Sequence, residues 1–167
     1  MDATHSRATF LAFHCRGVTL VELVVALAVV AILATIAMPN LATTLANQRL
    51  RAAGTDLVSA LMIARSEAIK RNAQVEVAPL IRTDWKSGWR VQTVDSGEQV
   101  ERKDALGLRV AVALAPDTIV YERTGRLAVA GTTQVEFHDT EAGSRLSPRC
   151  VSIDPSGLPR LEMGTCR

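Results

Sequence analysis

The sequence predicts an α+β protein in which a long amino-terminal helix leads into an antiparallel β-sheet. Three observations predict this fold class. The chain is almost wholly apolar from Leu23 to Met38, and a weak apolar stripe at helical spacing follows from Asn40 to Asn72. After Asn72 the pattern changes to short alternating segments separated by turn residues. We therefore expect the outer half of the helix to pack on the sheet.

The amino-terminal junction joins a polar, basic stub to the apolar run. The stub ends at Arg16-Gly17, and the chain continues Val18-Thr19-Leu20-Val21-Glu22 before it becomes apolar. An acidic side chain at the centre of a bilayer costs about 2.5–3.5 kcal/mol on insertion scales. A glutamate at the head of a membrane-length segment therefore indicates a partner or a function for its carboxylate.

Other kinds of targeting segment fit this junction less well. A secretory signal peptide is cut after its apolar stretch, whereas here a helical pattern continues past it. Cys15 could indicate lipoprotein attachment, but it precedes the apolar run. An ordinary single-span anchor stays open, because Val18 to Met38 covers about 31 Å as a helix. Arg7 and Arg16 precede the run, so the positive-inside tendency predicts a cytoplasmic stub and an external domain.

The junction resembles the class III signal of type IV pilins and type II secretion pseudopilins. The resemblance rests on Gly17, Thr19, Leu20 and Glu22, with Pro39 where many pilins carry a helix-kinking proline. It implies that a prepilin peptidase cuts after the glycine on the cytoplasmic side and methylates the new amino terminus. The apolar helix then stays attached to the mature protein.

The same resemblance implies boundaries and roles for this part of the chain. Residues 1–17 would be the cleaved leader and residues 18–39 the single transmembrane helix in the inner membrane. Val18 would be the first and N-methylated residue, where the family usually has phenylalanine or methionine. Glu22 would act in subunit assembly, and the rest of the chain would lie in the periplasm until assembly into a pilus or pseudopilus.

The segment of residues 40–72 is predicted to continue the helix into the domain. Pro39 should bend the helix, because proline removes a backbone donor and clashes with the preceding turn. The apolar stripe consists of Leu50, Leu57, Leu61, Ala64 and Ala68. This stripe is most simply the face on which a sheet packs, and the basic residues elsewhere are a solvated face or a subunit contact in a filament.

Residues 73–167 are predicted to be β-rich, with turn signals between short strands. The strand candidates are Val75–Val77, Trp89–Gln92, Val110–Leu114, Ile119–Tyr121, Val135–Phe137 and Cys150–Ile153. No internal repeat interrupts this pattern, so one modest domain follows the helix.

The segments Asn47–Arg51, Asp56–Leu61 and Ala64–Asn72 resemble the GspH/FimT family of minor pilins and H-type minor pseudopilins. The resemblance implies a low-abundance subunit near a filament tip, with other pilins or pseudopilins as partners. The predicted function is a minor pilin in the assembly or initiation of a type IV pilus. A type II secretion minor pseudopilin is the alternative, because both systems use the same signal and helix.

Cys150 and Cys166 remain as an even pair if Cys15 leaves with the leader. An exported domain is in an oxidising compartment, where such a pair is expected to form a disulfide. Closing the loop of about 17 residues stabilises the fold by about 3 kcal/mol on the chain-entropy model. A zinc site is a poor alternative, because no histidine pair lies nearby.

The sequence predicts neither an enzyme nor a metal or cofactor site. Outside the leader the only histidine is His138, next to a probable strand, and Asp154 and Glu162 are isolated carboxylates. No nucleophile elbow, phosphate loop or metal-ligand cluster is present.

A pilus-borne DNA receptor for natural transformation is the alternative from another functional class. DNA-uptake members of the family carry a Gly-Arg-x-Arg motif, and the matching Gly157-Leu158-Pro159-Arg160 lacks the first arginine. The candidate phosphate contacts are Arg145, Arg149, Arg160 and Arg167. Nearby acidic residues reduce the positive charge of this surface, and the formal net charge of the chain is only +2. DNA is therefore a partner that we do not favour.

Overall fold

The computed structural model describes residues 17–167, except for the side chains of residues 36–40. The predicted leader therefore lies outside the described residues apart from Gly17, and the predicted kink at Pro39 falls on an undescribed side chain. The described residues form helix α1 (Leu20–Arg71) and eight strands. The strands are β1 (Val75–Ile81), β2 (Asp84–Thr93), β3 (Gln99–Lys103), β4 (Val110–Leu114), β5 (Ile119–Tyr121), β6 (Thr133–Asp139), β7 (Arg149–Ile153) and β8 (Pro159–Met163).

The chain divides into two compact units, one up to Asn40 and one from Leu41 to Arg167. In the first unit the large apolar side chains of the described helix residues are exposed, among them Leu20 at 78 % and Leu33 at 60 %. Within the described part of the chain, no helix combines the length and the apolar character needed to cross a membrane.

The second unit contains two antiparallel sheets where the sequence suggested one. The described strands pair in the orders β3-β2-β1-β5 and β4-β6-β7-β8. All six predicted strands lie within observed strands, whereas β3 and β8 were not predicted. Both missed strands are sheet edges, and their exposed charged residues weaken the alternating pattern that reveals a half-buried strand.

One face of α1 forms the centre of the core in this unit. The predicted stripe is confirmed, since Leu50, Leu57, Leu61, Ala64 and Ala68 are fully buried. The same apolar cluster contains side chains of both sheets, among them Val77, Trp89, Phe137 and Val151. The helix therefore provides the surface on which both sheets bury their apolar faces.

A glycine lets β8 approach the helix closely. Gly54 is buried in the interior of α1, where glycine costs about 0.5–1 kcal/mol relative to alanine. The side chain of Leu161 in β8 occupies the place that a Cβ atom of Gly54 would need. The close helix–strand contact explains why a poor helix former lies at this position.

The turn that follows β6 is held by a buried carboxylate. The side chain of Asp139 is 1 % exposed, and Arg109 donates to it from Nη2 at 2.8 Å and from Nε at 3.2 Å. The hydroxyl of Ser144 donates to Oδ2 at 2.7 Å, and the backbone N–H of Glu141 donates to Oδ1 at 3.3 Å. Hydrogen bonds from Arg109, and then from Ser144 and Glu141, hold the pKa of Asp139 well below its usual range in spite of burial.

We predict that Asp139→Asn lowers the melting temperature of the protein at neutral pH. Because the pKa of Asp139 is lower in the folded state, its ionised form stabilises the fold above the unfolded pKa of about 4. This contribution is lost as the pH falls through the folded pKa. Melting curves should therefore show a difference between variant and wild type that shrinks as the pH is lowered below about 4.

Asp95→Asn, in the exposed turn between β2 and β3, is the control and should leave the melting temperature almost unchanged. A melting difference for Asp139→Asn that stays constant across this pH range would contradict the proposed role of the carboxylate.

Candidate functional site

The start of helix α1 lies two residues after the predicted cleavage bond. Gly17, Val18 and Thr19 are outside the helix, which begins at Leu20. The Thr19 hydroxyl accepts a hydrogen bond from the backbone N–H of Glu22 at 3.2 Å, and the Thr19 carbonyl accepts one from Leu23 at 3.1 Å. Thr19 is therefore the N-cap residue of α1.

Glu22 is an exposed residue in the first turn of α1. A carboxylate in this position interacts favourably with the partial positive charge at the helix amino terminus. Gly17, Val18, Thr19 and Glu22 therefore lie within six consecutive residues, just before and in the first turn of α1. The structure gives Glu22 a local contact through its backbone and leaves its carboxylate accessible to a partner.

The predicted disulfide is present. Cys150 in β7 and Cys166 are bonded with their Cα atoms 5.2 Å apart. The segment of residues 164–167 begins with a hydrogen bond from Gly164 N–H to the Pro148 carbonyl at 2.9 Å. It then reaches β6, where the Cys166 N–H donates to Glu136 Oε2 at 2.8 Å.

Gln134 fixes the end of the same segment. Its Nε2 donates to the backbone carbonyl of Arg167 at 2.6 Å. Because β7 lies between β6 and β8, residues 164–167 cross the outer face of the central strand β7. The disulfide and these hydrogen bonds hold the segment on the sheet.

The structure corrects one of the candidate DNA contacts, Arg149. It is only 6 % exposed, and its Nη2 donates to Asn47 Oδ1 in α1 at 2.7 Å. The guanidinium therefore joins β7 to the helix and is not available to a phosphate at the surface. The sequence pattern could not show this, because the partner is 102 residues away along the chain.

The other three candidate arginines are exposed, and Arg145 lies at the opposite end of β7 from Arg160 and Arg167. Arg145 lines a crevice with Thr43 and Arg109, in the turn that precedes β7. Arg160 in β8 is opposite Ser152, near the other end of β7. Arg167 is held over β6 by its backbone carbonyl.

A different set of arginines lies around two turns that touch each other. Gly157, in the β7–β8 turn, packs so closely on the carbonyl of Gly125 that a Cβ atom would not fit. Exposed Arg123 and Arg126 flank Gly125, and Arg160 follows Gly157 by three residues. The sequence alone could not group these three side chains, because the two turns that touch are far apart along the chain.

The described residues show no cluster of side chains that could hold a metal ion. No three His, Cys, Asp or Glu side chains in the described part of the chain are placed to hold a metal ion. The Nδ1 atom of His138 is buried in β6 and has no hydrogen-bond partner. Asp154 bonds the backbone and hydroxyl of Ser156 within the β7–β8 turn, which holds the pKa of Asp154 below its usual value.

Solved structures share this fold. The type IV minor pilin FimU of Pseudomonas aeruginosa (strain PAO1) matches in two crystal forms. One has a TM-score of 0.58 and 18 % identity, covering 71 % of this chain and 90 % of FimU. The other crystal form has a TM-score of 0.55 and 21 % identity, covering 69 % of this chain and 92 % of FimU. The minor pseudopilin EpsH from the type 2 secretion system of Vibrio cholerae matches with a TM-score of 0.53 and 12 % identity. The match covers 69 % of this chain and 97 % of EpsH.

Two family models match the sequence, whereas no curated protein matches it. Residues 53–157 match the family described as type II transport protein GspH. Residues 13–38 match the prokaryotic N-terminal methylation motif, which contains the Gly17 junction and Glu22. This chain therefore belongs to the GspH family of minor pilins and pseudopilins and carries the amino-terminal methylation motif of a prepilin-type anchor helix.

Proposed function

We propose that the chain is a minor structural subunit that takes part in the assembly or initiation of a type IV pilus. The observation that carries the proposal is that one helix, α1, joins the methylation motif to the GspH domain. Incorporation of the mature chain into sheared filaments, with Val18 as its first residue, is the experiment that tests it. Other pilins would be its partners in the filament.

A minor pseudopilin of type II secretion is the second candidate function. The description of the matching family as a type II transport protein favours it. Deletion of the gene distinguishes the two systems. Loss of twitching or of DNA uptake supports the pilus, whereas loss of enzyme export supports secretion.

The exposed apolar surface of the first unit supports membrane insertion before assembly. Leu20, Val24, Leu27 and Ile32 are each more than half exposed in the isolated chain. Apolar surface on this scale requires lipid or other helices as its neighbours. We propose a single pass of the inner membrane, with the second unit in the periplasm, followed by transfer of the helix into the filament.

Glu22 is the only ionisable residue between Val18 and Thr35. Cleavage after Gly17 would create a cationic amine at Val18, which stays cationic when it carries one methyl group. We propose that the Glu22 carboxylate neutralises this amine on a neighbouring subunit. Pairing the two charges offsets the cost of removing each from water.

We predict that the mature protein begins at Val18 with a methylated amine. Amino-terminal mass spectrometry of protein purified from membranes should detect this residue when the prepilin peptidase is present. In a strain without the peptidase the chain should keep its full leader. A mature terminus beyond Ala34 would instead indicate an ordinary signal peptidase and would contradict the proposal.

We predict that Glu22→Ala is cleaved and inserted normally but is at least about tenfold depleted from sheared filaments. The reason is that a buried amine left without its carboxylate is strongly unfavourable. The measurement is the ratio of filament to membrane protein on immunoblots. Glu162→Ala, an exposed carboxylate in β8, is the matched control and should be incorporated like the wild type. Normal incorporation of Glu22→Ala would remove Glu22 from the assembly mechanism.

A DNA receptor is a further candidate, favoured by the exposed arginines around the Gly125 and Gly157 turns. Arg123, Arg126 and Arg160 provide three cations for phosphate contacts. The negative charge of Asp154 in the same region reduces the attraction of these three cations for phosphate. We therefore rank this function below filament assembly.

We predict that the fragment of residues 46–167 shifts duplex DNA weakly at low salt and not at roughly 200 mM salt. Arg160→Ala should weaken this binding and lower the salt slope by about one, because one phosphate contact is lost. Arg102→Ala, in the edge strand β3, is the control. Tight binding that depends on Arg160 at the higher salt would place the receptor function first.

A further inference from the structure

We infer that the end of the second unit at which its helix begins binds the headgroups of an anionic lipid bilayer. We call this surface the proximal end and define it by Thr43, Arg49, Leu108, Ala142 and Arg145. The inference rests on the proposed function, since it requires the apolar helix of the first unit to be inserted in the membrane. The surface holds the domain against the bilayer until the subunit enters a filament.

The length of the chain keeps the proximal end close to the membrane. Residues 18–39 are the proposed membrane-spanning segment, and Thr43 follows four residues later. Four residues span at most about 14 Å, even when they are fully extended. The headgroup region is about 5–8 Å thick on each side of the bilayer core. Thr43 therefore lies in the headgroups or within a few residues of them.

Two loops of the second unit meet the helix at this end. Arg109, just before β4, lines one crevice together with Thr43 and the turn that follows β6. Gly107 lines a second crevice together with Arg49, less than two turns further along the helix. Leu108 stands between Gly107 and Arg109, so it belongs to the same end of the unit as Thr43.

Leu108 presents an apolar side chain at the proximal end. It is the most exposed large apolar residue among those that the structure describes, at 82 %. The loop is fixed next to it, because Arg109 has a φ of 71° and is bonded to the buried Asp139 through its guanidinium. Single exposed leucines are common on protein surfaces. This one is held where a bilayer interface can bury it, which is favourable for an apolar side chain.

The charges of the proximal end favour an anionic bilayer. Arg49 and Arg145 are exposed, and neither belongs to an ion pair among the described residues. The acidic side chains that line the two crevices are already paired, Glu141 with Arg109 and Asp56 with Lys103. Two unpaired cations therefore remain for lipid phosphate beside the apolar side chain of Leu108.

The test places a fluorescent probe on one introduced cysteine at a time in the full chain, inserted in lipid vesicles. The vesicles consist of phosphatidylcholine, with or without phosphatidylglycerol. Cys15→Ser removes the one cysteine outside the disulfide, so the probe reacts only at the chosen position. The measurement is the quenching of the probe by lipids that carry bromine near the headgroup.

Three probe positions separate docking from insertion. Ala142→Cys reports on the proximal end and leaves Leu108 and both arginines in place. Thr124→Cys reports on the other end of the unit, because the neighbouring Gly125 packs on Ile69. Ile69 lies about 39 Å from Thr43 along the helix. Leu33→Cys reports on insertion of the helix itself.

We expect lipid to quench the probes at Leu33 and Ala142 and not the probe at Thr124. Phosphatidylglycerol should raise the ratio of docked to undocked domain at Ala142. Replacing Arg49 and Arg145 by glutamine should lower this ratio by about fivefold for each lost charge at low salt. The matched control replaces the exposed Arg123 and Arg126, next to Thr124, by glutamine and should leave the ratio unchanged.

Leu108→Ser tests the apolar contact in the same way. It should lower quenching at Ala142 in both kinds of vesicle, because a serine gains little from the bilayer interface. Leu158→Ser, beside the Gly157 turn that packs on Gly125, is the control and should have no effect.

A probe at Ala142 that stays in water while the probe at Leu33 is quenched would overturn the inference and leave the proposed function standing. Equal quenching at Ala142 and Thr124 would overturn it as well, and so would quenching at Ala142 that ignores both Leu108→Ser and the loss of the two arginines. A probe at Leu33 that stays in water would refute membrane insertion and the inference with it.

Discussion

Both sheets of the domain bury their apolar faces against a single face of α1, formed by leucines and alanines at helical spacing. Ala60, Ala64 and Ala68 are fully buried in this face. Gly54 is buried in α1 too, and the side chain of Leu161 fills the place that a Cβ atom would need. The contacts at the rim of this face are polar, with Arg149 bonded to Asn47 and Lys103 paired with Asp56 at 2.7 Å. The helix therefore shares one apolar cluster with both sheets.

The sequence predicted the features that depend on local pattern. The buried stripe of the helix, the six central or well-patterned strands and the disulfide are confirmed by the structure. Periodicity reports which side of an element is buried, so it identifies elements whose two sides differ strongly. In an edge strand such as β3 the two sides differ less in burial, because solvent reaches both sides and charged residues are tolerated there. The division into two sheets also escaped prediction, since periodicity does not say which strands pair.

The candidate site shows the same division between local and distant information. The contacts of Thr19 and Glu22 span three residues, so a sequence motif contains nearly all of them. Whether an arginine side chain is buried or exposed depends on residues far along the chain. Arg149 is buried by its bond to Asn47 in the helix, and Arg109 joins Asp139 across 30 residues. Sequence reasoning could therefore recognise the methylation motif and yet mistake a buried arginine for a surface contact.

The link between Cys150 and Cys166 determines which residues carry tension when the chain is pulled at its ends. Tension applied between the helix and residue 167 would pass through the covalent link into β7, the strand between β6 and β8. The intervening hairpin, including the whole of β8, would carry none of it. An edge strand held only by one neighbour is normally the first to peel away under force, and here it is bypassed. Of the two turns that touch, the one at Gly157 lies inside the bypassed loop, whereas the one at Gly125 stays in the part of the chain that carries the tension.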